Sequence, residues 1–123
     1  MVVNKIKKVF VILVFAMNLQ AFDLGPTLFH GNCTTCHFEK KTVSAPAVVD
    51  FKKIYLKKYP KKEDFICHMT KFVKKPDPKI SLMPKAIKKH ELMPEIFFEE
   101  DTLSMIIEYI YKTDFTKPHE GHF

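Results

Sequence analysis

The chain has 123 residues, of which 46% are hydrophobic and 28% are charged, and its formal net charge is +6 at pH 7. A chain of this length fits one domain with a small core, and its three cysteines, an odd number, do not make a disulfide framework. All twenty basic side chains are Lys. Because Arg is absent and the sequence carries no recognised nucleic-acid-binding motif, the positive charge does not indicate a nucleic-acid-binding protein.

Residues 1–21 are predicted to form an export signal outside the fold. Three lysines lie within the first eight residues, an apolar run covers residues 9–16, and the small residue Ala21 ends the segment. This order is typical of a secretory signal peptide, and the apolar run is short for a membrane span. We therefore expect cleavage after Ala21, a periplasmic protein, and no transmembrane span in the mature chain. Leu19 is larger than the residue usually found there, which leaves an uncleaved N-terminal anchor as the alternative.

The domain is expected to cover residues 22–113 and to be all-α, since no segment alternates in the manner of a strand. The clearest apolar stripe belongs to the last helix and consists of Leu103, Ile106, Ile107 and Ile110, at the spacings of one helix face. Asp23 is a plausible N-cap of the first helix. Residues 114–123 are predicted to form a flexible tail. Predicted helices cover residues 23–35, 47–59, 62–74, 79–90 and 99–112, and the fourth of these is either interrupted by Pro84 or begins there.

The first predicted helix ends in the motif Cys33-Thr34-Thr35-Cys36-His37. The pattern C-x-x-C-H is the attachment signature of a c-type haem, in which two thiols bond to the vinyl groups and the next imidazole binds the iron. A bare C-x-x-C also occurs in redox dithiols and in zinc sites, so both remain alternatives. Export favours the haem interpretation, because reduced thiols are unusual outside the cytoplasm.

Three further features accompany this motif: Gly25 and Phe29 at intervals of four before Cys33, Pro46 nine residues after His37, and Met93-Pro94 before the last helix with its Tyr109. Together with the motif, they make the chain resemble the small monohaem class I cytochromes c of bacteria. The resemblance covers most of the mature chain and implies four or five helices around one covalent haem c, with the first and last helices crossing.

In this family each of these residues has a role that the resemblance transfers to the chain. Gly25 would allow the last helix to approach closely, with Phe29 and Tyr109 packed at the crossing. The carbonyl of Pro46 would accept a hydrogen bond from the proximal ligand, His37. The chain departs from the family at Phe38, where a glycine is usual, and by a longer segment before the expected methionine ligand.

The sixth iron ligand is expected to be Met93, because its distance from Tyr109 matches the family. Met83 lies in a second Leu-Met-Pro tripeptide and is the alternative. His90 is the best rival imidazole, although we expect it to be a solvated residue at a Lys-rich helix end.

The remaining sulfur-bearing side chains are expected to be structural. Met69 and Met105 lie on amphipathic helices and are interpreted as core residues, since methionine commonly fills gaps there. Cys67 is likewise expected to be buried and inert, and the alternative is an exposed thiol that could pair between molecules. His119 and His122 in the predicted tail are assigned no role.

The resemblance implies a monomeric periplasmic electron carrier with His/Met ligation and no enzymatic activity. Residues 40–89 carry fifteen Lys against four acids, whereas residues 91–123 carry two Lys against eight acids. Such asymmetry would orient the protein toward acidic redox partners. The alternatives are a haem protein with a labile sixth ligand that binds a small gas or turns over peroxide, and a haem subunit of a larger respiratory complex.

Overall fold

The computed structural model describes residues 2–7 and 22–118, and all regular secondary structure in this part of the chain is helical. The all-α prediction is confirmed. None of the helices among these residues is both long enough and apolar enough to cross a membrane. The predicted cleavage site and the two tail histidines lie outside the described residues. After residue 22 the helices are α1 Gly25–Asn32, α2 Val48–Lys58, α3 Lys62–Lys74, α4 Pro84–His90 and α5 Glu100–Lys112.

Three of the five helices lie within one residue of their predicted bounds, α4 takes one of its two predicted forms, and α1 is shorter than predicted. Helix α1 ends at Asn32 because a turn follows it, in which the amide of His37 donates to the carbonyl of Cys33 at 2.8 Å. Helix α4 begins at Pro84, which was one of the two predicted alternatives, and proline is tolerated there because it lies in the first turn. Asp23 is not the N-cap of α1, but its carboxylate accepts the amide hydrogen of Gly25 at 2.9 Å.

Helix α1 packs against α5, the helix with which the resemblance predicted a crossing. A Cβ placed on Gly25 would lie 2.9 Å from Cβ of Tyr109 and 3.2 Å from the carbonyl oxygen of Met105. Phe29 is fully buried one turn further along α1, and its ring centroid lies 5.3 Å from that of Tyr109. The absence of a side chain at Gly25 is therefore what allows the two backbones to approach.

Helix α5 is the centre of the core, and it also packs against α3 and α2. All four residues of its predicted stripe are buried, which confirms that prediction. Phe65 and Met69 of α3 are buried against it. On the surface, Glu108 of α5 accepts hydrogen bonds from Lys62 and Lys112, each at 2.6 Å, and these bonds lower the pKa of Glu108 to about 2. Exposed pairs of this kind add little stability, so the apolar contacts carry the packing.

The segment that follows α5 corrects the prediction of a tail from residue 114. Phe115 is 1% exposed, and its ring lies 5.3 Å from that of Phe29 and 5.8 Å from that of Tyr109. Lys52 of α2 donates to the carbonyl of Thr113 and lies over the Phe115 ring at 5.7 Å. Phe115 thus completes the aromatic cluster at the α1–α5 contact. A single aromatic residue beyond a helix has no periodic signal, which is why the sequence did not reveal it.

Two sulfur-bearing residues predicted to lie in the core are exposed. Cys67 lies two residues from both Phe65 and Met69 on α3, and a two-residue step turns a helical side chain to the opposite face. Met105 is 36% exposed beside the buried stripe of α5. The prediction for Met69 is correct, because this residue is 4% exposed.

We expect Gly25→Ala to destabilise the protein and Gly31→Ala, on the same helix, to leave it stable. The new methyl group at residue 25 must displace α5, and overpacking of this kind costs about 1–3 kcal/mol. At residue 31 a Cβ meets nothing within 4 Å, so the higher helix propensity of Ala should add up to about 1 kcal/mol. Denaturant unfolding measures both, and equal stabilities of the two variants would contradict the close approach at Gly25.

Candidate haem site

A large cavity opens among helices α2, α3, α4 and α5 and the chain on either side of α4. The space within it is about 1350 Å³ when the open solvent at its mouth is counted. The buried stripe of α5 forms part of its wall, and most of the other lining side chains are also apolar. An apolar concavity with a few polar groups is the usual form of a cofactor site.

The C-x-x-C-H motif lies at this cavity, because Cys33, Cys36 and His37 all line it. The turn after α1 brings the three residues together. All three cysteines of the chain are free thiols, and of the two in the motif Cys33 is half-buried and Cys36 exposed. Burial raises the pKa of the Cys33 thiol to about 11, so this thiol is protonated at neutral pH. Two thiols and an imidazole facing one apolar cavity fit the attachment of a haem.

The imidazole of His37 is fixed in one tautomer by the backbone. Its Nδ1 lies 2.8 Å from the carbonyl oxygen of Pro46, as predicted. A carbonyl oxygen can only accept, so Nδ1 carries the proton and Nε2 has the lone pair that binds a metal. The edge-to-face ring of Phe51, at 5.3 Å, helps to hold the imidazole. Burial lowers the pKa of His37 against the opposing effect of the Pro46 bond, and the neutral ring is the form that ligates iron.

The loop between the motif and α2 places Pro46. The hydroxyl of Ser44 donates to the carbonyl of Cys36 at 3.3 Å, and the amide of Ala47 donates to the hydroxyl of Thr42 at 2.9 Å. The amide of Val48 donates to the carbonyl of Phe38 at 3.0 Å. Phe38, the departure from the family pattern, directs its side chain outward and is 45% exposed. The larger residue is therefore accommodated without entering the cavity.

Both candidate methionine ligands line the same cavity, and so does His90. Met83 precedes α4 and Met93 follows it, so this seven-residue helix separates the two Leu-Met-Pro tripeptides. The structure brings all three candidates to the cavity and does not select one. His90 is half-buried and lines the cavity, so it is more enclosed than the solvated residue that we expected.

Sequence reasoning missed two features of the cavity wall. Tyr55 and Phe72 line the cavity, and the only indication of this in the sequence was their position on the inner faces of α2 and α3. Glu91 also lines it and is the one described non-glycine residue with a positive φ, at 68° with ψ 174°. Residues other than glycine rarely adopt this region, and they retain it only where the surroundings enforce it. The unusual backbone conformation of Glu91 lies between His90 and Met93, two of the candidate ligands.

No family model matches the chain, and no curated protein or solved structure matches it either. Within residues 2–7 and 22–118, no group of three or more His, Cys, Asp or Glu side chains is placed to bind a metal ion. Support for a function therefore comes from the residues of the cavity itself.

We expect Glu91→Gly to stabilise the folded protein by about 1 kcal/mol. The strained backbone costs about 1–3 kcal/mol, and the greater freedom of glycine in the unfolded chain removes part of the gain. Glu95→Gly is the matched control, because Glu95 has no positive φ, and it should be neutral or destabilising. Denaturant unfolding of the exported protein measures the free energy of unfolding of both variants. An equal loss of stability in the two variants would contradict backbone strain at Glu91.

Proposed function

We propose that this chain is a small exported electron carrier that holds one covalently attached haem c. The observation that carries the proposal is the arrangement at one apolar cavity: the motif from Cys33 to His37, the imidazole fixed by Pro46, and methionine side chains on the same lining. None of these features alone specifies haem. Their convergence fits a haem better than a dithiol or a zinc ion, which needs no large apolar cavity.

In this proposal different residues of the chain bind different parts of the haem. Cys33 and Cys36 would hold the haem through two thioether bonds, each formed by addition of a thiol S–H across a vinyl double bond. Nε2 of His37 and the sulfur of Met93 would ligate the iron, with Met83 as the alternative to Met93. The apolar side chains that α3 and α5 contribute to the cavity lining would pack against the ring. A haem held in this way supplies reversible one-electron chemistry.

The ligand set favours electron transfer over catalysis. If His37 and Met93 both ligate the iron, they would leave no coordination position for a substrate, so the protein would not be an enzyme. A thioether ligand favours the ferrous state and raises the potential. The chain's contribution would then be to set the reduction potential of the haem and to keep one haem edge near the surface, where Cys36 is exposed.

The class I cytochrome c fold is part of the proposal. It is supported by the packing of α1 on α5, with Gly25 against Tyr109 and the buried ring of Phe29 beside them. We also propose a periplasmic monomer that meets acidic redox partners through its Lys-rich region, residues 40–89.

A haem protein with a labile sixth ligand is the second candidate, and one observation favours it. Three possible donors line the cavity around α4, and within the described residues α4 packs against no other helix. A weakly held donor could leave and open the iron to a small gas or to peroxide. Carbon monoxide distinguishes the candidates: an unchanged ferrous spectrum supports the carrier, and a carbonyl spectrum supports the labile site.

We expect Met93→Ala to abolish the far-red absorption that a methionine–iron bond gives the oxidised protein. Met83→Ala should retain the band, and Met105→Ala is the control because that side chain is exposed and does not line the cavity. The visible spectra of the three oxidised variants provide the measurement. If only Met83→Ala loses the band, Met83 and not Met93 would be the iron ligand.

We expect the rate of reduction by ferrocyanide, a polyanionic donor, to fall as ionic strength rises. The Debye length shortens from about 30 Å at 0.01 M salt to about 8 Å at 0.15 M, which screens the attraction of the Lys-rich region. Stopped-flow spectroscopy at the two salt concentrations measures the change. A constant rate would refute electrostatic steering while leaving the proposed haem site intact.

A further inference from the structure

A second concavity, which we call the lysine cleft, adjoins the apolar cavity. None of the described residues that line it is acidic. Three of its side chains are lysines, and a histidine is held among them by stacking, since the rings of His68 and Tyr59 lie 3.8 Å apart and within 3° of parallel. The lining residues are Tyr55, Lys58, Tyr59, His68, Lys71, Lys79, Ile80, Ser81 and Leu82.

The lysine cleft and the apolar cavity share a wall. Tyr55, Ser81 and Leu82 line both of them, so the two concavities are neighbours on either side of these three residues. The motif residues, in contrast, line the cavity and not the cleft. The proposed point of covalent attachment and the wall shared with the cleft therefore belong to different parts of the cavity lining.

The chemistry of a haem matches this division. Its vinyl groups lie toward one edge of the ring and its two propionate groups lie at the opposite edge. A ring attached through Cys33 and Cys36 therefore directs its carboxylates away from the motif. We propose that the lysine cleft holds the two propionate carboxylates of the haem, an inference that rests on the proposed function.

Charge and hydrogen bonding supply the physical reason. Ionised carboxylates cannot remain in an apolar cavity without partners, because the loss of hydration costs far more than packing returns. The ammonium groups of Lys58, Lys71 and Lys79 give the carboxylates oppositely charged partners in a solvated setting. Tyr55 lies on the shared wall and can donate its phenolic proton, because burial raises its pKa to about 12 and keeps it protonated.

The cleft would also influence the iron. Ionised propionates favour the ferric state by their negative charge, and neighbouring ammonium groups offset that charge. The lysines would keep the propionates ionised to lower pH, since an opposite charge within about 4–6 Å lowers a carboxyl pKa by about 1–3 units. The pH at which the reduction potential changes therefore reports on the cleft.

The test compares two triple variants that remove the same charge. Lys58→Gln, Lys71→Gln and Lys79→Gln together remove the cations of the cleft, whereas Lys53→Gln, Lys57→Gln and Lys75→Gln remove lysines that line neither concavity. We expect the cleft variant to raise the propionate pKa, seen in the pH dependence of the potential, by about one unit and the control variant to leave it within a few tenths. Equal shifts in the two variants overturn the proposal.

A second measurement uses the unmodified haem-loaded protein and does not depend on a variant folding. Inorganic phosphate is titrated against the ring resonances of His68, observed by nuclear magnetic resonance. If propionates occupy the cleft, the resonances should not move in a saturable way. Saturable binding of phosphate would mean that the cleft is open to free anions and would overturn the proposal. The mass of the unmodified protein distinguishes failure of the proposed function from failure of this inference. A mass without haem refutes both of them. A mass with haem, together with saturable phosphate binding, refutes only the inference about the lysine cleft.

Discussion

The close approach of α1 to α5 is the constraint on which the rest of the arrangement depends. At Gly25 there is no room for a side chain against Tyr109 and the backbone of Met105. That contact fixes the axis of an eight-residue helix whose far end leads into the motif, while α5 forms part of the cavity wall. Phe115 closes the aromatic cluster from the other side. A shift of α1 would carry both cysteines away from the cavity, so packing far from the candidate site determines the chemistry possible there.

Sequence reasoning predicted the features that repeat or have a fixed spacing. The stripe of α5 and the bounds of α3 follow from periodicity, whereas the bond from His37 to Pro46 was implied by the resemblance to the class I cytochromes c, in which a proline stands at about this distance. The burial of Phe115 was not predicted, because a single aromatic residue after the end of a helix forms no periodic pattern that would indicate burial. The placement of Cys67 was wrong because residue type was weighed above helical phase, which puts it opposite Phe65 and Met69 on α3.

Other features of the site depend on tertiary structure and could not be obtained from local sequence. The positive φ of Glu91 belongs to a residue that normally avoids it, so only the backbone reveals it. The lysine cleft combines α2, α3 and the segment before α4, and each contributes an ordinary surface lysine when considered alone. The choice between Met83 and Met93 is a further example, because identical tripeptides reach the same cavity from opposite ends of α4.

The most direct test of the account is the mass of the exported chain from a host that attaches haem to c-type cytochromes. We predict the mass of the polypeptide plus one haem, retained after denaturation, and we predict that the double variant Cys33→Ala and Cys36→Ala has the mass of the polypeptide alone. A bare polypeptide mass for the unmodified chain, from a host in which a known c-type cytochrome matures, would contradict the account.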